Sequence, residues 1–266
     1  MKGLGTTLQD LRMGQTIMPD EAQCPVCGYF DVAHPDVKRL LTHRDPSGGL
    51  MYRAQCRCLA LEERTRRDYE LRKMQSNLPH PKEPKTFVNF NMTEELKAAV
   101  VASREFANSE GPPLLFLVGS TGAGKSHLME AIGRHILETS AWTVRYEASS
   151  SLLMRLRETV SDYSEDDMAE VLAWYQRRRF FLLDDLGAEK RSDFTVERLT
   201  ELIDERMRMG WRTAISTNLG REELADRCGE RLASRLFQTR ADLHEVRRVT
   251  IAAMDYRGGK AGQNAR

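Results

Sequence analysis

Leu114-Leu115-Phe116-Leu117-Val118-Gly119-Ser120-Thr121-Gly122-Ala123-Gly124-Lys125-Ser126 is the stretch on which the reading of this chain turns. Its first half is a short, wholly apolar run, as expected of a strand buried on both faces. Its second half fits G-x-x-x-x-G-K-[ST] in full, after an apolar strand and at the opening of a helix, the context that this motif requires. The chemistry explains the residue types. Glycines let backbone N–H groups curl around phosphate oxygens with no Cβ in the way. The helix N-terminus adds partial positive charge. Lys125 is suited to the β- and γ-phosphates, and the Ser126 hydroxyl to a magnesium ion. The nucleotide-contacting set is Gly119, Ser120, Thr121, Gly122, Ala123, Gly124, Lys125, Ser126 and the adjoining His127.

Outward from this loop, apolar strands alternate with helical patterns. Helices are expected at 93–109 (Thr93 as N-cap), 125–139, 149–160, 165–177, 193–209, 221–227 and 230–239. Strands are expected at 114–119, 142–147, 179–185, 211–218 and 245–252. This alternation predicts an α/β fold, a mainly parallel sheet covered by helices on both faces. Ligands of such sheets sit at the carboxyl ends of the strands.

Two of those ends carry matching chemistry. Phe180-Phe181-Leu182-Leu183-Asp184-Asp185 is an apolar strand closed by paired carboxylates, costly there unless a cation neutralises them. Asp184 is expected to hold magnesium and Asp185 to polarise an attacking water. The alternative is a solvated turn. Asn218, ending Ser216-Thr217-Asn218, is placed to orient water or contact the γ-phosphate. Arg231 and Arg235 are four apart, hence on one helix face. An arginine donated to a neighbour's nucleotide stabilises charge on the γ-phosphate. Periodicity alone favours a solvated basic face for this pair.

The first 60 residues differ in kind. They hold four of the five cysteines, many turn formers and little periodicity. Cys24-Pro25-Val26-Cys27 and Cys56-Arg57-Cys58 suit a tetrahedral zinc ion, with His34 and His43 as substitutes for one ligand. Metal would supply stability that so few large apolar residues cannot. Free thiols, a redox pair and an iron–sulfur site are the alternatives. Residues 61–78 read as one charged helix, and Pro79, Pro81 and Pro84 make a stiff connector. The expected organisation is therefore a zinc-binding module over 1–60, a helix and linker over 61–84, and a nucleotide-binding domain over 85–266. Forty basic against thirty-nine acidic residues give a net charge of +1, which excludes a generally basic coat for duplex DNA. No apolar run approaches the ~18 residues of a membrane span, and no signal peptide is visible, so a cytoplasmic protein without membrane partners is expected. Cys228 is expected to be a small buried residue.

The ordered set GSTGAGKSHL, FLLDDLG, STN and GERLASRL resembles the replicative-helicase loaders of the DnaC/DnaI type, which are AAA+ ATPases. The resemblance covers roughly residues 84–260, with Thr86-Phe87-Val88-Asn89-Phe90 similar to the family's entry segment beside the adenine. QCRCLALEERTRRDYELRKM is similar to the zinc-bearing N-terminal part of some members. The resemblance implies an AAA+ core using ATP, Mg²⁺ and Zn²⁺. Lys125 and Ser126 match the Walker A ligands, Asp184 and Asp185 the Walker B pair, and Asn218 sensor 1. Arg231 and Arg235 match the arginine-finger box, and Arg257 resembles a late sensor arginine. Asp185 stands where many AAA+ proteins carry a glutamate, which suits a slow, switch-like ATPase. Only 31 residues run from Leu236 to Arg266, too few for a substantial C-terminal lid, so a bare core that assembles with its own copies is expected.

The implied partners are a hexameric replicative helicase, single-stranded DNA and further copies of the chain. Arg145, Arg155, Arg157, Lys190 and Arg191 could line a groove for the DNA backbone, with solvated helix faces as the alternative. Tyr163 and Trp174 could stack a base, although core packing is favoured for Trp174. A transposition helper of the IstB type, acting on duplex DNA, is the second reading. A nucleotide-switched adaptor with little hydrolysis is the third.

Overall fold

The strands of the main sheet form because their side chains are apolar in both directions. β3 (Leu114–Gly119) and β5 (Phe180–Asp184) are buried along nearly their whole length, as is β6 (Arg212–Thr217). With β4 (Val144–Ala148) and β7 (Val246–Ile251) they make a five-stranded, all-parallel sheet in the order β4-β5-β6-β3-β7. The structure is a computed structural model. It describes residues 39–44, 50–55, 57–159, 167–237 and 246–251, with side chains from residue 64 onward.

Alternation along each strand sends side chains to two cores. Leu114, Phe116, Phe181, Leu183 and Ile215 enter the first. It is closed by α4 (Ser149–Glu158), α5 (Met168–Gln176), α6 (Asp193–Arg208), α7 (Arg221–Cys228) and α8 (Glu230–Leu236). Phe180 and Leu182 point the other way. They meet α2 (Glu94–Ala107) and α3 (Lys125–Thr139), where Phe106 stacks edge-on against Phe180 at 5.9 Å. Thr93 takes the N-cap position of α2 without a side-chain capping bond. Cys228 is fully buried, and burial pushes its thiol up to about 12.

One buried charge pins the first core. Arg206, fully enclosed on α6, donates to the carbonyls of Tyr175, Gln176, Arg178 and Arg212 and to the Thr213 hydroxyl, at 2.7–3.0 Å. Those carbonyls belong to the end of α5 and to the turns entering β5 and β6, which have few partners of their own. Burial draws the guanidinium down to about 9, which leaves it charged at neutral pH.

The chain divides into two units, Met1–Glu70 and Leu71–Arg266. In the first, β1 (Arg39–Arg44) and β2 (Leu50–Gln55) form an antiparallel hairpin with Arg39 opposite Gln55. That hairpin lies within the residues read as lacking periodicity. Its strands, RLLTHR and LMYRAQ, mix charge and apolar residues without clean alternation, so period two is not visible in them. The charged helix, α1 (Arg57–Gln75), starts earlier than expected and includes Cys58. Its last turn and the residues after it belong to the second unit. Arg72 donates to the Ser140 carbonyl at 2.6 Å, and the Ser76 carbonyl accepts from the Tyr146 backbone at 2.8 Å, beside β4.

Candidate functional site

The loop between β3 and α3 shows why its glycines are glycines. A Cβ on Gly119 would lie 2.6 Å from the Ile251 carbonyl oxygen of β7. Gly124 has φ +91°, and a Cβ there would meet the Phe90 ring at 3.0 Å. Lys125 is buried, and its ammonium donates to the Gly119 and Ser120 carbonyls at 2.7 and 2.8 Å. The lysine thus lies along the loop's own backbone, at the rim of a cavity of about 290 Å³.

That cavity brings together residues that are far apart in sequence. Thr121, Gly122, Gly124, Lys125, Ser126 and His127 line one side, Asp185 and Asn218 another, with Lys85 also present. β5 and β6 lie side by side, so Asp185 and Asn218, each one residue past the end of its strand, both reach the cavity.

Asp184 is only 5% exposed. The Tyr146 phenol donates to its Oδ2 at 2.6 Å, and the Ser216 hydroxyl donates to its Oδ1. Both donors are neutral, so they orient the carboxylate without cancelling its charge. A carboxylate has about four lone-pair sites, so two bonds leave it capacity for a cation or its water shell. Burial, with the Asp184 carboxylate second, raises the Tyr146 phenol far above its ordinary value and keeps it a donor. Ser216 serves twice, because its hydroxyl oxygen also accepts the Asp185 backbone N–H at 2.9 Å. Asp185 has φ +58°, a left-handed conformation unusual for a non-glycine residue. The Ser216 bond helps to hold that turn, which aims the second carboxylate into the cavity while the first stays in the sheet.

The segment before α2 closes over the start of α3. Burial, more than any charge, lowers His127 below its ordinary value and favours the neutral ring. Its Nε2 lies 2.9 Å from the Thr86 carbonyl, and Phe90 stacks edge-on against it at 4.9 Å. Lys85 pairs with the buried Glu130 of α3 at 2.6 Å. Thr86–Phe90 therefore sits beside the phosphate loop.

Arg231 and Arg235 are elsewhere. Both pair with Asp204 of α6, and neither lines the cavity. The proposed DNA groove is in large part internally engaged. Arg145 pairs with Glu147, Arg157 donates to the Thr195 hydroxyl at 3.1 Å, and Arg191 donates to the Asp226 carbonyl at 2.7 Å. Trp174 packs against the core, with Arg178 3.7 Å from its ring centroid. Arg155 shares a second cavity, about 540 Å³, with Arg145, Ser151 and Glu158. Cys24, Cys27, Cys56, His34, Tyr163 and Arg257 lie outside the described residues, as do the side chains of Cys58 and His43. Among the described residues no cluster of metal-binding side chains is present, and no helix is long and apolar enough to cross a membrane.

Sequence reasoning missed Tyr146, Ser216, Lys85 and Asp204. Ser216 alone left a signal, as the hydroxyl in a strand that ends beside the Asp-Asp strand. The others are ordinary residues in ordinary patterns until strand order places them.

The described donors suit magnesium–nucleotide. A glycine cradle, a helix N-terminus, an ammonium and the Asp185 carboxylate meet at one cavity, and the buried Asp184 carboxylate, with spare lone pairs, lies one residue away. The comparisons agree. The chain is 35% identical over 119 residues to the chromosomal replication initiator protein DnaA of Streptococcus agalactiae, a match covering 44% of this chain and 25% of that protein. It therefore spans about a quarter of the length of the curated relative. Among solved structures, the DnaC helicase loader superposes with a TM-score of 0.54 at 23% identity, covering 63% of this chain and 96% of that one. Replication initiator DnaA bound to AMPPCP and single-stranded DNA gives 0.55 at 21% identity, covering 65% and 51%. At those identities the two structures establish the shared AAA+ P-loop NTPase fold. The family model described as IstB-like ATP binding protein matches residues 40–261. With most of its length inside that match, the chain belongs to the IstB-like family of AAA+ ATP-binding proteins.

Proposed function

We propose that this protein loads the replicative DNA helicase onto single-stranded DNA, using ATP in a core that assembles with its own copies. The observation that carries the reading is the division of the catalytic set. Lys125, Ser126, Asp185 and Asn218 converge on one cavity beside Asp184, while Arg231 and Arg235 pair with Asp204 and do not line it. A set divided in this way is complete only when a second copy supplies the arginines.

In this reading the backbone from Gly119 to Lys125 holds the phosphates, and Lys125 leaves its carbonyl partners for the β- and γ-phosphate oxygens. Ser126 and Asp184 hold magnesium, which when bound neutralises charge on those oxygens. Asp185 accepts a proton from the attacking water and Asn218 orients that water. Arg231 and Arg235 of a neighbouring copy stabilise charge on the γ-phosphate. His127 and Thr86–Phe90 border the nucleoside, and Arg257 serves as the late sensor arginine. The shorter reach of Asp185 compared with glutamate fits slow, switch-like turnover. The N-terminal cysteines bind a structural zinc, and their module docks on the helicase.

The family description favours a second reading, a transposition helper acting on duplex DNA. Native mass spectrometry of the full chain with a hexameric replicative helicase, with and without ATP, separates the two. A defined, ATP-dependent complex is the expected result, and the same spectra weigh any zinc carried by the chain. Absence of that complex, with stable assemblies on duplex DNA, would transfer the assignment to the transposition helper.

A further inference from the structure

The two arginines of α8 share a single carboxylate. Arg231 lies 2.6 Å from Asp204 Oδ2, and Arg235 lies 2.5 Å from Asp204 Oδ1. The three side chains differ in exposure: 69% for Arg231, 32% for Arg235 and 18% for Asp204. The carboxylate is thus the inner member, Arg235 covers it, and Arg231 reaches outward.

The backbone of α8 is fixed without these ion pairs. Leu232, Ala233 and Leu236 are buried in the first core. Gly229, with φ +95°, lets the chain turn from α7 into α8 where a Cβ would lie 2.8 Å from Val196 of α6. Glu230 pairs with Arg221 of α7. Asp204 is therefore not needed to dock the helix. What it changes is the side chains. A free arginine carries rotamer entropy, which must be lost when it meets a phosphate. A carboxylate ion-paired with both guanidiniums restricts that freedom beforehand. One negative against two positive charges also leaves the group net positive, so it still attracts an anion.

We propose that Asp204 is a positioning residue for ATP hydrolysis between copies of this chain, holding Arg231 and Arg235 in the outward geometry that a neighbour's γ-phosphate requires. This rests on the arginine reading given above. Asp204 touches no nucleotide itself, and acts in the copy that donates the arginines rather than in the copy that hydrolyses.

The test is subunit mixing with full-length protein. Asp204→Asn should lower kcat about tenfold and leave the Kd of a fluorescent ATP analogue within twofold, whereas Asp204→Glu should recover part of the loss. Mixing Asp204→Asn with Asp185→Asn should then restore turnover above the sum of the two alone. In that mixture the second variant donates well-held arginines to the intact cavity of the first. Arg235→Ala mixed with Asp185→Asn is the reference. If the reference pair regains activity and the Asp204→Asn pair does not, the role of Asp204 is overturned while the arginine reading stands. Wild-type or faster turnover by Asp204→Asn would also overturn it, because the carboxylate would then be idle or a competitor. If the reference pair stays silent, the arginine reading fails and the inference falls with it.

Discussion

Arg206 and Asp184 are both charged, both enclosed by the same α/β unit, and surrounded in opposite ways. Arg206 spends its donors on four carbonyls and one hydroxyl, all supplied by the protein, and it is fully buried. Asp184 has two hydroxyl donors and keeps lone pairs in reserve, one residue from the cavity that Asp185 lines. The first charge is saturated and closes the structure. The second is held in place but left incomplete. A buried charge therefore reports function only when its hydrogen-bonding capacity exceeds what the fold supplies.

The contrast can be broken or sharpened by mutation. Arg206→Met should have the largest effect. It leaves the Tyr175, Gln176, Arg178 and Arg212 carbonyls without this donor, and unsatisfied buried groups cost about 1–3 kcal/mol each before relaxation. A loss of about 4 kcal/mol in urea unfolding is expected, with nucleotide affinity unchanged in whatever fraction remains folded. A small loss would mean that water reaches those carbonyls and that the arginine is dispensable.

Asp184→Asn should do the reverse. Turnover should fall at least about 100-fold, the scale on which removing one electrostatic stabiliser acts, while stability moves by less than about 1 kcal/mol, because an amide keeps the shape and can still bond both hydroxyls. Steady-state phosphate release and urea unfolding on the same sample read the two effects separately. Stability lost in step with activity would make Asp184 another structural charge and erase the distinction.

The smallest effect expected is that of Tyr146→Phe. It removes one of the two donors to Asp184 without creating a cavity. A stability cost of about 1.5 kcal/mol, the low end for a hydrogen bond to a charged group, is expected. Magnesium titration of nucleotide binding, followed by fluorescence, should show a shifted half-saturation if the phenol orients the carboxylate. An unchanged titration would reduce Tyr146 to packing.

Much of this is legible in the sequence. The apolar run at 114–119 and the glycine spacing after it carry their own chemistry, since only a strand-to-helix turn without Cβ atoms makes a phosphate cradle. The Asp-Asp pair was legible because two carboxylates closing an apolar strand have few inexpensive explanations. The hairpin at 39–55 was not, because its two strands lack period two. Thr93 marks the start of α2 as its residue type suggests, whereas the end of α8, at Leu236 and not 239, has no capping residue to mark it.

Local pattern, then, determined the alternation of strands and helices, the phosphate loop and the identity of the strand-end acids, because each depends on neighbours within one turn or one strand. Tertiary structure alone decided which side chains complete them. Tyr146 meets Asp184 only because β4 pairs with β5, Ser216 serves both acids only because β6 lies on the other side, and Asp204 gathers two arginines only because α6 packs against α8. Such contacts are set by strand order and helix packing. These bring together residues with no periodic relation in the chain, so no spacing in the sequence records them.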